Sequence, residues 1–535
     1  MSVPNPYPRV IYLSGLAILA IGLPVSTFLM SIGQFIMLGG LLLDGKWLEK
    51  LCRFWKNKMA VLVASVLILH LLGLLYTKDY DYAFHDIRIK TPLLVLPLFI
   101  TCTEPLTKRL FNWLLFIFVG SVTVGTFICT GIYLEVFPTR HVQIDSRSIS
   151  VFISHIRFSM MITFSILICA YYFYQETSFL FKFLLATLAI WLITFLGILN
   201  SLTGIVLLII LVFVFIVHGI FNSKNKQIKT ISTLSFFVVV AGIGLYINSL
   251  VKETGLYKSA GQKVDASTLD QRTALGNKYE HYPDRLDIEN GYPVWIYLCT
   301  PEMEQAWNER SKLNCQDKNK KGEDVRFTLM RYLTSKGLRK DAAGVHALSG
   351  EEIKAIENGI ADVNYMGKSQ LSIRLMESIW EYRYYTWGGS PNGHSIIMRL
   401  EFWKAAVAII KKHPVAGVGT GDVNQAFLNQ YREMNSALGV DYYLRSHNQF
   451  LSITVAFGFV GLIWFLFALV YPMIRYKMTF DYFYAVFFMI LFLSMFTEDT
   501  LETQAGVTFY AFFNSILLFA RPWIKTEIQK INLYL

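Results

Sequence analysis

Twelve apolar runs decide what this chain can fold into: 10–24, 26–43, 59–76, 88–102, 109–134, 156–174, 180–198, 203–221, 230–250, 447–472, 481–497 and 504–521. A helix needs about 20 apolar residues to cross a bilayer, and fewer when neighbours or snorkelling flanks compensate. Inside hydrocarbon every backbone donor and acceptor must be satisfied within the protein, which leaves the helix as the form for such runs. The runs 10–24, 26–43 and 88–102 are the shortest, and Pro24, Pro92 and Pro97 lie in them. Only 16% of the 535 residues are charged, against about 25% in a soluble domain, so lipid is the expected solvent. The run beginning at Val10 leads directly into the next, with no small-residue cleavage site, so no cleaved leader is expected.

Charge sets the orientation. The segment 251–446 holds 26 Lys and Arg against 24 Asp and Glu, whereas the rest of the chain holds 23 against 14. That excess sits on short loops: Lys46, Lys50, Arg53, Lys56 and Lys58, then Lys108, then Lys224, Lys226 and Lys229, then Arg475 and Lys477, with Arg521, Lys525 and Lys530 in the tail. The loops 199–202 and 498–503 carry no Lys or Arg. Positive loops stay in the cytoplasm, so both termini are expected inside and 251–446 in the periplasm. A basic balance of this kind reports topology, and nucleic acid is not an expected partner.

The expectation is therefore an all-α, multi-pass protein of the inner membrane with about twelve transmembrane helices. Residues 1–250 supply the first nine, 251–446 form one large, mainly helical periplasmic loop, and 447–535 supply the last three and a cytoplasmic tail. Within the loop, SIIMRLEFWKAAVAIIKK places Ile396, Leu400, Trp403, Val407 and Ile410 on one face, an amphipathic surface helix over 395–412 that Pro414 ends. The stretch 256–370 carries no motif. Cys299 and Cys315 share this loop and could pair in an oxidising compartment. The six cysteines have no metal-ligand spacing.

Three groups of residues at the expected outer surface could carry chemistry. Arg157 opens an apolar run just after Arg140, His141, Arg147 and His155. It either snorkels to the interface or presents a planar fork to a diphosphate. Arg399 lies on the flank of the amphipathic helix, where it either pairs with Glu401 or Trp403 or binds the same anion. It is followed by alternating Gly417, Gly419 and Gly421, which make either a tight turn or a close backbone approach to phosphate. Finally, Arg445, His447 and Asn448 stand at the mouth of the run 447–472. An imidazole there can take a proton from a hydroxyl while arginines stabilise a departing diphosphate. Lys90 and His85 also face outward. So do Glu498, Asp499 and Glu502, for which ion pairing with the arginines is a better account than metal ligation.

RLEFWKAAVAIIKKHPVAGVGTGDV (399–423), SHNQFLSITVAFGFVGLI (446–463) and Arg157 together resemble the O-antigen ligase family of membrane glycosyltransferases, which includes O-antigen polymerases and protein O-oligosaccharyltransferases. The resemblance implies a GT-C-like architecture, no metal and no cofactor, and an undecaprenyl-diphosphate glycan donor. The implied acceptor is lipid A–core, a second glycan or a protein. It implies His447 as the catalytic base and Arg157 and Arg399 as donor-binding arginines; from their positions Arg445 and Lys90 are expected beside them at the donor, with Asn448, Gly417 and Gly419 in support. Residues 256–370 are unusually long for the family, and Asn200-Ser-Leu-Thr-Gly204 lacks the arginine that the family carries in that turn. A transporter of lipid-linked glycans is the alternative of another class, but it would place its charges at the midplane.

Overall fold

A computed structural model describes residues 6–134, 136–137, 149–222, 225–253, 265–285, 287–386 and 388–524. Arg140, His141, Arg147, Lys224, Lys525 and Lys530 lie outside them. Among the described residues the chain is helical, with one two-stranded pairing of Ile288–Glu289 against Tyr292–Pro293.

The first half runs through α1 (Tyr7–Val25), α2 (Thr27–Leu43), α3 (Trp47–Lys56), α4 (Lys58–Leu72), α5 (Tyr80–Lys90), α6 (Pro92–Cys102), α7 (Lys108–Tyr133), α8 (His155–Gln175), α9 (Phe179–Ile198), α10 (Leu202–Asn222) and α11 (Lys226–Glu253). The middle holds α12 (Thr300–Arg310), α13 (Val325–Ser335), α14 (Ala342–His346), α15 (Gly350–Glu357), α16 (Gln370–Thr386), α17 (Ser395–Lys412) and α18 (Val423–Glu433). The chain ends with α19 (Gln449–Arg475), α20 (Tyr482–Ser494) and α21 (Gln504–Phe519).

Seven helices among the described residues are long and apolar enough to cross a membrane, or eight if α2 and α3 are counted as one bent span. Leu202–Val217, α20 and α21 are apolar but shorter. The expected span over 88–102 is two helices. α5 ends at Lys90 and α6, with 11 residues, is about 16 Å long, half a hydrocarbon core. The break is local chemistry: Pro92 lacks the N–H that would continue the ladder of α5.

The chain divides into two compact units. Met1–Phe137, Ser150–Val212 and Arg399–Leu535 form the first, and Pro138–Ile149 with Phe213–Met398 the second. By contacts, residues 399–446 group with the first unit and 213–250 with the second, a division distinct from the expected topological boundaries at 250 and 446. Inside the first unit α1 and α2 form a hairpin so close that a Cβ on Gly15 would lie 2.6 Å from the Met37 amide nitrogen. Small residues at such crossings let backbones approach where no water is left to expel. The second unit has its own core around Trp307, Tyr332, Leu329 and Cys315. Cys299 and Cys315 are both buried free thiols, so the pairing that their positions allow is not made.

α19 contains a break that its sequence conceals. Gly458 has φ 62° inside an otherwise continuous apolar run. The freed backbone groups are taken up by Pro414–Gly419. Val418 and Gly419 donate to Val455 and Ala456 (both 2.9 Å), and Phe459 donates to Pro414 (2.8 Å). The interrupted helix is thus satisfied by protein, the condition for irregular backbone at membrane depth.

Candidate functional site

One end of the first unit collects charges from helices far apart in sequence. The segment Arg445–Gln449 enters α19, and its geometry starts with capping. Asn448 accepts the Leu451 amide on Oδ1 (3.0 Å) and donates from Nδ2 to the Phe496 carbonyl (2.9 Å). Gln449 is fixed at both ends of its side chain, accepting from the Leu501 amide (2.7 Å) and donating to Glu502 (3.1 Å). Trp403 of α17 donates to the Ser446 carbonyl (3.0 Å). These anchors hold His447 at φ 46°, a left-handed conformation uncommon outside glycine and found where structure over-determines a site.

Two carboxylates organise the cations. Glu498 Oε1 accepts from Arg399 Nη2 at 2.8 Å, and its Oε2 lies 3.7 Å from both Arg157 Nη2 and His447 Nδ1. Arg157 also donates to the Asp499 carbonyl (3.1 Å) and to Ser154 Oγ (3.3 Å). Burial alone would raise the Glu498 carboxyl. The adjacent His447 imidazole and the charges of Arg157 and Arg399 outweigh it and hold the group below the usual carboxylate range. Glu502 accepts from Lys90 (2.7 Å) and Arg445 (3.2 Å), and Lys90 also binds Asp86 at 2.5 Å. Asp86 in turn meets His70 Nδ1 at 3.1 Å, so a chain of alternating charges runs from Arg445 to α4. Asp499 is shifted the other way. Burial and the neighbouring Glu502 raise it against the pull of Arg445, while Ser452 (2.9 Å) and Ser446 (3.4 Å) donate to its Oδ1.

The two groups differ in balance. Glu502 and Asp86 match Lys90 and Arg445 charge for charge, whereas Glu498 alone faces two guanidiniums. The Nε of Arg157, Arg399 and Arg445 are buried with no partner among the described residues. A buried donor left unbonded costs about 1–3 kcal/mol, and more when charged, so Arg157 and Arg399 each keep a donor that an arriving anion can satisfy. The arrangement suits a multiply charged anion held by Arg157 and Arg399 beside an imidazole whose other flank is a carboxylate.

Several expectations change with the geometry in view. Arg399 pairs with Glu498, while Glu401 pairs with Lys404 and accepts from Ser436. Lys90, expected to face the donor, is 1% exposed and enclosed between two carboxylates. Gly417 and Gly419 have φ 69° and 96°, but their amides donate to His413 and Ala456, and that of Gly421 to Thr77 Oγ1. Gly417 thus packs closely on α19 and Gly419 and Gly421 against residues 73–79, which leaves none of these three amides for an anion. A Cβ on Gly417 would sit 2.3 Å from the Ala456 carbonyl carbon. Sequence reading passed over His70, Asp86 and Gln449. Their available signal was polarity: His70 and Gln449 interrupt apolar runs.

Residues 363–466 match the family model described as O-antigen ligase, so the chain contains a domain of that family. The match includes Arg399, Arg445, His447 and Asn448, and excludes Arg157, Lys90 and the two organising carboxylates. No curated protein matches the chain.

Proposed function

We propose that this chain, with its O-antigen ligase family domain over residues 363–466, is a membrane glycosyltransferase that joins a glycan carried on undecaprenyl diphosphate to a lipid A–core hydroxyl at the periplasmic face. The observation that carries the reading is the sharing of one carboxylate, Glu498, by Arg157, Arg399 and His447. Those groups are what glycosyl transfer from a diphosphate needs. Arg157 and Arg399 turn their forks from Glu498 to the diphosphate, where bidentate geometry suits phosphate oxygens. The acceptor oxygen attacks the anomeric carbon as the bond from that carbon to the diphosphate oxygen breaks. The hydroxyl proton passes to His447, and the departing electron pair stays on the lipid diphosphate, stabilised by the arginines. Glu498, kept ionised, steadies the imidazolium that forms. Arg445, Lys90 and Asn448 act one step back, by fixing the entry of α19 and the turn at 498–503.

A deletion strain tests the reading on whole cells. Lipopolysaccharide without its polysaccharide ladder, together with accumulated full-length polymer on the lipid carrier, is the expected outcome. A single repeat on the core would make the chain a polymerase, and an intact ladder with lost glycoproteins an oligosaccharyltransferase. An intact ladder with all glycoconjugates unchanged would refute glycosyl transfer.

A further inference from the structure

We propose that α3 is an in-plane membrane helix that binds anionic phospholipid at the end of the first unit opposite the arginine–histidine cluster. Its position follows from α2. That helix starts beside the turn at 498–503, where Gln504 donates to the Thr27 carbonyl (3.2 Å) and to Ser31 Oγ (2.9 Å), and its 17 residues carry the chain about 25 Å away. The axis then bends by 118° into α3. Gly45 and Lys46 make the corner at φ 65° and 56°, so α3 runs closer to the membrane plane than to its normal.

The wheel of α3 has three arcs. Lys50 and Phe54 are buried against the protein. Lys50 pairs with Asp44 (2.8 Å) and donates to the Leu41 carbonyl (2.9 Å), and Cys102 of α6 donates to the Lys50 carbonyl (3.2 Å). Beside that arc lies an exposed apolar one: Trp47, Leu51, Trp55 and Leu48, with Leu48 81% and Trp55 64% exposed. The third arc holds Glu49, Arg53 and Lys56. Arg53 and Lys56, with Lys46 and Lys58 at the helix ends, are four cations without a carboxylate partner among the described residues.

Water alone does not account for the uncovered leucines and tryptophans, and the bilayer interior does not tolerate four cations. The headgroup layer takes both, with the apolar arc in the acyl boundary and the cations among phosphates. The surplus of unpaired cations favours anionic headgroups, since each cation near an anionic surface strengthens attachment roughly fivefold. Nothing in this inference depends on the glycosyltransferase reading.

The chain supplies its own probe, because Cys52 on α3 is exposed while the other five cysteines are buried. Full-length protein labelled at Cys52 with an environment-sensitive fluorophore is placed in phosphatidylcholine bilayers with and without phosphatidylglycerol. The label should be quenched by lipids spin-labelled near the headgroup and shielded from aqueous iodide. Spin-labelled phosphatidylglycerol should quench it better than phosphatidylcholine. The combined Arg53→Gln, Lys56→Gln and Lys58→Gln variant, which leaves Lys50 and Phe54 in place, should lose that preference by roughly fivefold per cation removed. Free access of iodide would overturn the proposal, as would shielding from both quenchers, which means a protein covers the helix. Equal quenching by the two lipids, or a preference that survives in the variant, would overturn the anionic-lipid assignment.

Discussion

Glu498 and Asp499 are adjacent, yet their surroundings push their carboxyls in opposite directions. For Asp499 the folded value is raised, so its stabilising contribution is complete below the ordinary carboxylate value of about 3.9 and is lost as pH rises through the raised one. Asp499→Asn keeps an acceptor for Ser452 and Ser446 and removes the charge. It should therefore raise the thermal midpoint of the detergent-solubilised chain at pH 8, with the gain shrinking toward pH 4. A variant equally destabilised at both values would mean that the attraction to Arg445 outweighs burial. Arg157→Lys and Arg399→Lys should each weaken binding of a polyprenyl-diphosphate glycan by roughly tenfold or more, because one point charge cannot replace a two-toothed fork. Titration of donor into purified variants reads this directly, and unchanged affinity would move the diphosphate elsewhere. Arg157, Arg399 and His447 were legible in the sequence because charged and imidazole side chains at the ends of apolar runs are costly and need a reason. Ion pairing of the 498–502 carboxylates with the arginines was expected from the sequence, but not that Glu498 alone serves all three. It lies 341, 99 and 51 positions from them, and only the fold brings the four together.

At the scale of elements, the break in α19 and the segment 414–419 explain each other. An unbroken apolar run at 447–472 reads as one straight span, and alternating glycines read equally as an anion loop or a turn. In the structure each supplies the hydrogen bonds that the other lacks. Gly417 is the tightest point, with positive φ and a neighbouring carbonyl where a Cβ would go. Gly417→Ala should cost roughly 1–3 kcal/mol for the backbone strain alone, and more where the clash cannot relax. It should lower the thermal midpoint while leaving donor affinity in the surviving fold nearly unchanged. Loss of donor binding at unchanged stability would restore the glycines to the anion site. α5 and α6 give the same lesson, because hydropathy over 88–102 hid a helix boundary that Pro92 enforces and that brings Lys90 between Asp86 and Glu502.

At the scale of the whole molecule, composition and apolar runs made the helical membrane class plain, and every expected run is helical. Seven described helices meet the length of a full span. Residues 295–366 carried no readable motif because they form a small core of their own, built on contacts such as Trp307 with Leu313 that no periodicity announces. The loop charges predict which side each part faces. Lys312→Cys, at an exposed position of the second unit in a Cys52→Ser background, should react in intact cells with a thiol reagent that cannot cross the inner membrane. Cys52 of the unmodified chain should stay unlabelled in intact cells. The reverse pattern would invert the topology. The central claim, transfer from a lipid diphosphate with His447 as base, is tested most directly by supplying purified chain with polyprenyl-diphosphate glycan and lipid A–core in excess EDTA. The account predicts that glycan moves to the core and the lipid diphosphate is released. It also predicts that His447→Asn, whose side chain tolerates the left-handed backbone, binds donor normally but transfers roughly 10²–10⁴-fold more slowly. A folded His447→Asn protein that transfers at the full rate, or transfer that EDTA abolishes and a divalent ion restores, would contradict it.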